Sequence, residues 1–196
     1  CALPISRRVP AFAPQINTAI TQLQSVAVVH GLQGVHGKRV KLAELLQAIC
    51  IAAQTHNQGG ASIHFESHSE CDAGLNPDEA VPVALIINEL VTNAMKHCGG
   101  IASEVRVTLD DLASGQRVRV VNPGALSRGG AVRNGVPHGN GLRIVRSLMP
   151  VEGVRFELGE DGGQVTATLD LNSPVLMIEG GTGNYRGVLD TMEVAS

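Results

Sequence analysis

Apolar residues recur at intervals of three and four positions in several stretches of the chain. That period matches one face of an α-helix, so the pattern predicts helices over 15–33, 42–55 and 77–96. The third of these is strongly apolar and is predicted to be buried, and Pro77 followed by two acidic residues is typical of its first turn. A shorter helix is predicted over 142–149, after a glycine-rich stretch.

Shorter stretches alternate between apolar and polar residues, and this period of two predicts β-strands. A turn through Asp110 and Asp111 is expected between the second and third strands, and a hairpin around 160–163 between the last two. The order of elements predicts an α+β fold, a two-layer α/β sandwich with helices on one face of a mixed, mostly antiparallel sheet. The predicted strands are 62–67, 105–109, 116–121, 154–158 and 165–171.

Composition narrows the class of protein. Hydrophobic residues make up 43% of the 196 positions and charged residues 17%, which is typical of a globular chain. Aromatic residues are only 2%, which argues against a stacking platform for single-stranded nucleic acid, and the net charge of −3 indicates neither nucleic acid nor a membrane surface as a partner. No apolar run reaches the roughly eighteen residues that a membrane-spanning helix needs.

The four cysteines occupy positions 1, 50, 71 and 98, and no two of them form a Cys-x-x-Cys pair. This spacing matches no zinc module, and the chain is too large and too poor in cysteine for a disulfide framework. Reduced thiols in a cytoplasmic segment are therefore predicted. Because the chain opens with Cys1 instead of methionine, we expect a processed chain or a piece of a longer protein.

The buried helix carries a line of polar residues. Glu89, Asn93 and His97 are spaced four residues apart and share one stripe of the helix, with Lys96 beside them. A carboxylate can accept a proton, an amide oxygen can ligate Mg²⁺, and an ammonium attracts phosphate. The alternative is a solvated helix face whose cations simply favour the negative end of the helix dipole.

Two glycine-containing segments follow the predicted strands. Asn122-Pro123-Gly124 comes at a strand end, and Gly139-Asn140-Gly141-Leu142 opens a helix. Backbone N–H groups at such a helix start can bind phosphate, although a tight turn into a helix would look the same. Neither segment completes a dinucleotide fingerprint or a Walker-type phosphate loop.

Taken together and in this order, N-E-L-V-T-N-A-M-K-H, N-P-G and G-N-G-L-R-I-V resemble the N, G1 and G2 boxes of the ATP-binding catalytic domain of sensor histidine kinases. That domain belongs to the gyrase-type (GHKL) ATPase superfamily, and the resemblance covers roughly 40–171. It implies a Bergerat-type sandwich that binds ATP and Mg²⁺ between the N-box helix and the sheet. The implied activity is transfer of the ATP γ-phosphoryl group to a histidine.

The resemblance also implies roles for individual residues. Asn93 would ligate Mg²⁺, Glu89 would act as general base, and Asn122 and Gly124 would lie at the adenine. Phosphates would be contacted by Lys96, His97, Gly139, Gly141 and the amide of Leu142. A lid would run over 125–138, where Arg128, Arg133 and His138 would reach the γ-phosphate unless they simply belong to a solvated loop.

The G1 segment departs from the family pattern, which has aspartate at position 122 and a second glycine at position 126. This chain has Asn122 and Leu126 there. An asparagine can accept a hydrogen bond from the adenine amino group, more weakly than a carboxylate does, or it can flip and donate to a guanine-type oxygen. Base preference therefore stays open at the sequence level.

The predicted helix over 15–33 resembles the second helix of a dimerisation and phosphotransfer hairpin. Its His30 is followed by Gly31 instead of an acid, so the acceptor histidine is expected on a preceding helix outside this chain. The resulting division is 1–39 as a partial hairpin helix, 40–172 as the catalytic domain and 173–196 as a tail of unknown role. The implied partners are a response regulator and, through the hairpin, a second copy of the full-length protein.

Two other functions share these features. A degenerate domain could dock on a phosphotransfer hairpin without turning over nucleotide, and an anti-sigma-factor-type serine kinase has the same fold but lacks the hairpin-like helix. One further cluster needs an interpretation. His64, Glu66 and His68 share one face of a predicted strand, where an exposed edge is favoured over a metal site.

Overall fold

A computed structural model of the chain describes residues 13–34, 38–56, 60–71, 73–98, 103–126 and 140–178. The helices are α1 (Ala13–Gln33), α2 (Leu42–His56), α3 (Pro77–His97) and α4 (Asn140–Leu148). The strands are β1 (Ser62–Ser67), β2 (Ala73–Leu75), β3 (Glu104–Leu112), β4 (Gly115–Pro123), β5 (Val154–Asp161), β6 (Gln164–Asn172) and β7 (Leu176–Ile178).

Five strands form one mixed sheet in the order β1-β3-β4-β6-β5. Only β1 and β3 run parallel, and the other neighbours are antiparallel. The predicted α+β, two-layer sandwich with a mostly antiparallel sheet is confirmed. The sequence patterns missed β2 and β7, which pair with each other in a separate small sheet, because three-residue strands are too short to show a period of two.

The core lies between the helices and one face of the large sheet. Alternate positions of the central strands are buried, among them Val107 and Val118, whereas their neighbours Arg106 and Arg119 are exposed on the other face. α3 packs against β3 and β4 and also contacts the other three helices. Its buried residues therefore join the two layers. They include Ile86, Ile87, Leu90 and Val91.

The turn between β3 and β4 differs from the prediction. The strands continue to Leu112 and restart at Gly115, so the prediction of a turn at Asp110 and Asp111 is wrong. Both carboxylates have partners that keep them in the strand. Asp110 lies 3.3 Å from the Arg119 guanidinium, and Asp111 accepts a hydrogen bond from the Ser69 hydroxyl at 2.5 Å.

The hairpin between β5 and β6 is confirmed. Its turn is made by Gly162 and Gly163, which have φ values of 57° and 76°. Two successive residues in the left-handed region form the tight turn that best matches strand twist, and glycine adopts that conformation without steric cost.

The helix α1 packs against α2 and α3, with Ser25 and Val29 buried. Its opposite face leaves Ile20 47% and Leu23 70% exposed. Within the described residues, no helix is long and apolar enough to cross a membrane. The division of the chain at residues 39 and 172 stays a prediction.

The cysteines of the described residues, at positions 50, 71 and 98, are unpaired. Cys50 is buried in α2, and this burial raises the pKa of its thiol to about 12. A thiol that stays protonated at neutral pH is a small apolar side chain and a poor nucleophile.

The His64, Glu66 and His68 cluster lies on β1, at one edge of the large sheet. Its histidines pair with acids: Glu66 lies 3.1 Å from His64 Nε2 and 3.7 Å from His68 Nε2, and His68 Nδ1 is 3.0 Å from Asp110. No group of three such side chains is arranged for a metal ion anywhere in the described ranges. The edge position of β1 and the roughly half-exposed side chains of this cluster agree with the exposed-edge interpretation.

The Arg117–Asp170 pair across β4 and β6 gives a stability prediction. Arg117 donates to both oxygens of Asp170, at 2.6 and 2.8 Å, and holds the pKa of that nearly buried carboxyl below its ordinary value of 3.8. Because the folded-state pKa is lowered, this stabilisation is present above the ordinary pKa and is lost as the pH falls. We expect Asp170→Asn to lower Tm by about 3–6 °C at pH 7, with the gap closing below pH 4.

The matched control is Glu157→Gln on the same sheet face. Glu157 pairs with Arg155, but their side chains are 58% and 73% exposed, so the change in Tm is expected to stay under about 1 °C. Equal melting temperatures for the two variants, measured by circular dichroism, would contradict the assignment of a stabilising role to Arg117–Asp170.

Candidate functional site

The polar stripe of α3 changes from buried to exposed along the helix. Glu89 is only 6% exposed, Asn93 is half-buried, and Lys96 and His97 in the last turn are exposed. The middle of the helix, 80–91, lies largely in the core, and its C-terminal turn reaches the surface. The stripe thus places an acid inside the protein and two cationic or ionisable groups at the surface.

Glu89 is a carboxyl group in an apolar environment. Burial raises its pKa above the ordinary 4.5, and the nearby Lys96 ammonium opposes this effect more weakly. No residue in the described part of the chain donates a hydrogen bond to the Glu89 carboxylate. Burying an acid costs stability, and acids with shifted pKa values concentrate at functional sites.

Asn122 lies on the inner face of the sheet, one residue before the end of β4. Its side chain is buried, with only 4% exposed, and its Nδ2 donates to the carbonyl of Pro123 at 3.0 Å. Only the nitrogen end of the amide can face that carbonyl, because two oxygens there would repel each other. The orientation leaves Oδ1 as an acceptor to which no described residue donates.

Gly124 brings the end of β4 against the end of α3. A Cβ atom at this position would lie 3.0 Å from the carbonyl oxygen of His97 and 3.4 Å from Nδ2 of Asn122. The φ of Gly124 is 146°, a conformation that residues with a side chain rarely adopt. Glycine is required here for both reasons, and the first two sequence segments of the resemblance meet at this point.

The third segment reaches the site through α4, which packs against α3. Gly141 and Leu142 lie in the first turn of α4, where backbone N–H groups have no partner within the helix. Val145 is fully buried and anchors the helix in the core. Gly139 and the predicted lid residues Arg128, Arg133 and His138 lie outside the described residues.

The sequence patterns missed one feature beside the site. The backbone N–H of Leu126 donates to Glu160 Oε2 at 2.8 Å, and that of Gly124 donates to the Gly163 carbonyl at 2.9 Å. Both acceptors belong to the hairpin between β5 and β6. The hairpin itself is predictable from the sequence. No sequence pattern indicates that Glu160 of this hairpin accepts a hydrogen bond from Leu126, 34 residues earlier in the chain.

The resemblance predicts that Asn93 ligates Mg²⁺. The described residues contain no cluster of three acids, histidines or cysteines that could hold a metal by themselves. Asn93 contributes one amide oxygen, and no described side chain hydrogen-bonds to it. Mg²⁺ keeps several waters and commonly combines one protein oxygen with substrate phosphates, so a lone amide fits that ion.

Comparisons with known proteins bear on the fold. The histidine kinase domain of a blue-light activated histidine kinase, EL346 from Erythrobacter litoralis, matches with a TM-score of 0.61 and 15% identity, over 79% of this chain and 74% of that chain. The catalytic domain of histidine kinase ThkA matches with 0.54 and 17%, over 69% and 95%. Full-length ShkA, solved in complex with AMPPNP, matches with 0.55 and 18%, over 81% and 35%.

No protein-family model and no curated protein sequence matches the chain. The chain spans about a third of full-length ShkA and 49% of the longer EL346 chain. At these identities the likeness concerns the fold, and it bears out the resemblance at that level. The chain has the fold of histidine kinase catalytic domains.

Proposed function

We propose that this chain is the ATP-binding catalytic domain of a two-component sensor histidine kinase. The observation that carries the proposal is the close approach of Gly124 to the carbonyl of His97. It brings the strand end with Asn122 to the polar stripe of α3, in a fold shared with histidine kinase catalytic domains. The activity follows from the chemistry that these groups support.

Asn122 is suited to select adenine. Its Nδ2 is occupied by the Pro123 carbonyl, so Oδ1 is the group left to meet a nucleobase. An acceptor there matches the amino group of adenine, whereas the corresponding oxygen of guanine would face it without a hydrogen. Within this proposal, an acceptor at Oδ1 favours ATP over GTP.

The phosphates would lie toward the C-terminal turn of α3. Lys96 and His97 are exposed there and can contact phosphate oxygens, and the first turn of α4 offers the amides of Gly141 and Leu142. Gly139 joins them only by the resemblance. Asn93 would hold Mg²⁺, which when bound supplies charge neutralisation to the transferred phosphoryl group.

Glu89 would orient or deprotonate the attacking nucleophile. Burial raises the pKa of Glu89, which makes its carboxylate a stronger proton acceptor, and the nearby Lys96 ammonium favours the ionised form. The acceptor histidine is proposed to lie on a hairpin helix outside this chain. The exposed Ile20 and Leu23 of α1 would pair with that helix in a homodimer, and the product would pass to a response regulator in the cytoplasm.

A docking module without nucleotide turnover is the second candidate, and the neutral side chain at Asn122 favours it. Calorimetric titration with Mg·ATP, Mg·ADP and Mg·GTP separates the two functions. Binding of the adenine nucleotides at micromolar to submillimolar concentration supports the kinase domain. Absence of binding to all three overturns the kinase proposal and supports docking.

Asn122→Asp gives a directional test of the base contact. A carboxylate forms a stronger hydrogen bond to an amino group than an amide does, so we expect the Kd for ATP to fall about threefold to tenfold. Without nucleotide the same variant should melt at a lower temperature, because a buried charge then faces the carbonyl of Pro123.

Asn172→Asp is the matched control, since the same substitution is then made at the opposite end of β4 and β6. It should leave the Kd for ATP unchanged. Weaker ATP binding by Asn122→Asp than by this control would contradict an acceptor role for residue 122.

A further inference from the structure

The chain that leaves β4 donates two hydrogen bonds to the hairpin between β5 and β6. Gly124 donates to the Gly163 carbonyl at 2.9 Å, and Leu126 donates to Glu160 Oε2 at 2.8 Å. The first bond extends the pairing of β4 with β6. The second is made by a side chain and lies beyond the sheet, so it depends on the identity of residue 160.

The Glu160 carboxylate is a strong acceptor for the Leu126 N–H. A hydrogen bond from a backbone N–H to an ionised carboxylate is shorter and about twice as strong as one between neutral groups. Within the described ranges, no cation pairs with Glu160. The tight glycine turn and the register of Pro123 opposite Gln164 place the end of β5 beside the segment that leaves β4.

The held segment begins at the residue that would read the nucleobase. The amide orientation of Asn122 is set by the carbonyl of Pro123, so a shift of the backbone after Asn122 also shifts its Oδ1. Gly124 changes the direction of the backbone. The next backbone group held by a side chain is the N–H of Leu126, which donates to Glu160.

From this arrangement we propose that Glu160 is a positioning residue for base recognition: it holds the chain at Leu126 and thereby the acceptor of Asn122. The inference rests on the proposed nucleotide-binding function. Glu160 would touch neither base nor phosphate, and its effect would appear in the preference for adenine.

The test compares Glu160→Ala with Asp161→Ala in the whole chain. Asp161 is the neighbouring acid on the same hairpin, so the control removes the same charge without removing the contact. For Glu160→Ala, we expect the Kd for Mg·ATP to rise about threefold to tenfold and the Kd for Mg·GTP to change less, so that the ATP-to-GTP preference falls. Glu160→Gln keeps an acceptor oxygen and should restore most of the preference.

Hydrogen exchange at the Leu126 amide, followed by NMR, provides an independent readout. It should quicken in Glu160→Ala and not in Asp161→Ala. Equal ATP affinity in these two variants, or equal losses for ATP and GTP, would overturn the inference. If the wild-type chain binds no nucleotide, the proposed function fails and the base-recognition role fails with it, while the Leu126 exchange rate still reports whether Glu160 holds this segment.

Discussion

Replacing Asn93 by alanine is expected to remove the Mg²⁺ dependence of ATP binding and to slow phosphoryl transfer by about 10²- to 10³-fold. Asn93 is the half-buried member of the α3 stripe, between the buried Glu89 and the exposed His97. Its amide is the neutral oxygen donor of that stripe. Without it, a metal ion bound to the phosphates has no protein ligand from α3.

The measurement is the ratio of the ATP dissociation constants in EDTA and in excess Mg²⁺. Wild type should bind more tightly with the metal, and Asn93→Ala should show a ratio near one. Asn93→Asp is the matched variant, because it keeps an oxygen ligand at the same position and should retain a Mg²⁺ effect. An unchanged ratio in Asn93→Ala would rule out the ligand role. Because Asn93 is only half-buried, the Tm of the Asn93→Ala variant should stay close to that of the wild type.

Replacing Glu89 by glutamine is expected to lower the transfer rate by about 10²- to 10⁴-fold and, at the same time, to stabilise the fold at neutral pH. The loss of rate reflects removal of the proton acceptor. The gain in stability follows from burial, since the ionised carboxylate is the form that the apolar surroundings disfavour and glutamine is neutral.

The sign of the pH dependence follows from the direction of the shift. The pKa of Glu89 is raised in the folded state, so its contribution to stability is fully present below the ordinary pKa of 4.5 and is lost as the pH rises through the raised value. The Tm advantage of Glu89→Gln over wild type should therefore grow from pH 4 to pH 8. The rate of phosphoryl transfer by the wild type should fall at low pH, because acid protonates Glu89. In this assay, a separate hairpin peptide that carries a histidine would accept the phosphoryl group.

Lys96→Met is the companion variant. The Lys96 ammonium lowers the pKa of Glu89, so its removal should move the acid limb of the rate profile to higher pH. A rate that is insensitive to Glu89→Gln, or a variant less stable than wild type at pH 8, would contradict the assignment of Glu89 as a buried base.

The long helices and the large sheet were predictable because their periods are repeated over many residues. α3 contains a stripe of three polar residues at four-residue spacing, and β1 alternates from Ser62 to Glu66. Short or unpatterned elements were not predictable. β2 and β7 have three residues each, and the acids at positions 110 and 111 look like turn residues although cross-strand partners keep them in β3.

Local sequence patterns were sufficient to predict the layered α+β architecture and the candidate residues of α3 and of the strand end at Asn122. Both are encoded locally, by side-chain periodicity and by the spacing of residue types. Three contacts arise only from the folded chain: Gly124 against the end of α3, the Asn122 amide nitrogen on the Pro123 carbonyl, and the Glu160 carboxylate on the Leu126 N–H. These contacts depend on the packing of α3 on β4 and on the pairing of β4 with β6. Contacts between residues distant in sequence leave no local pattern.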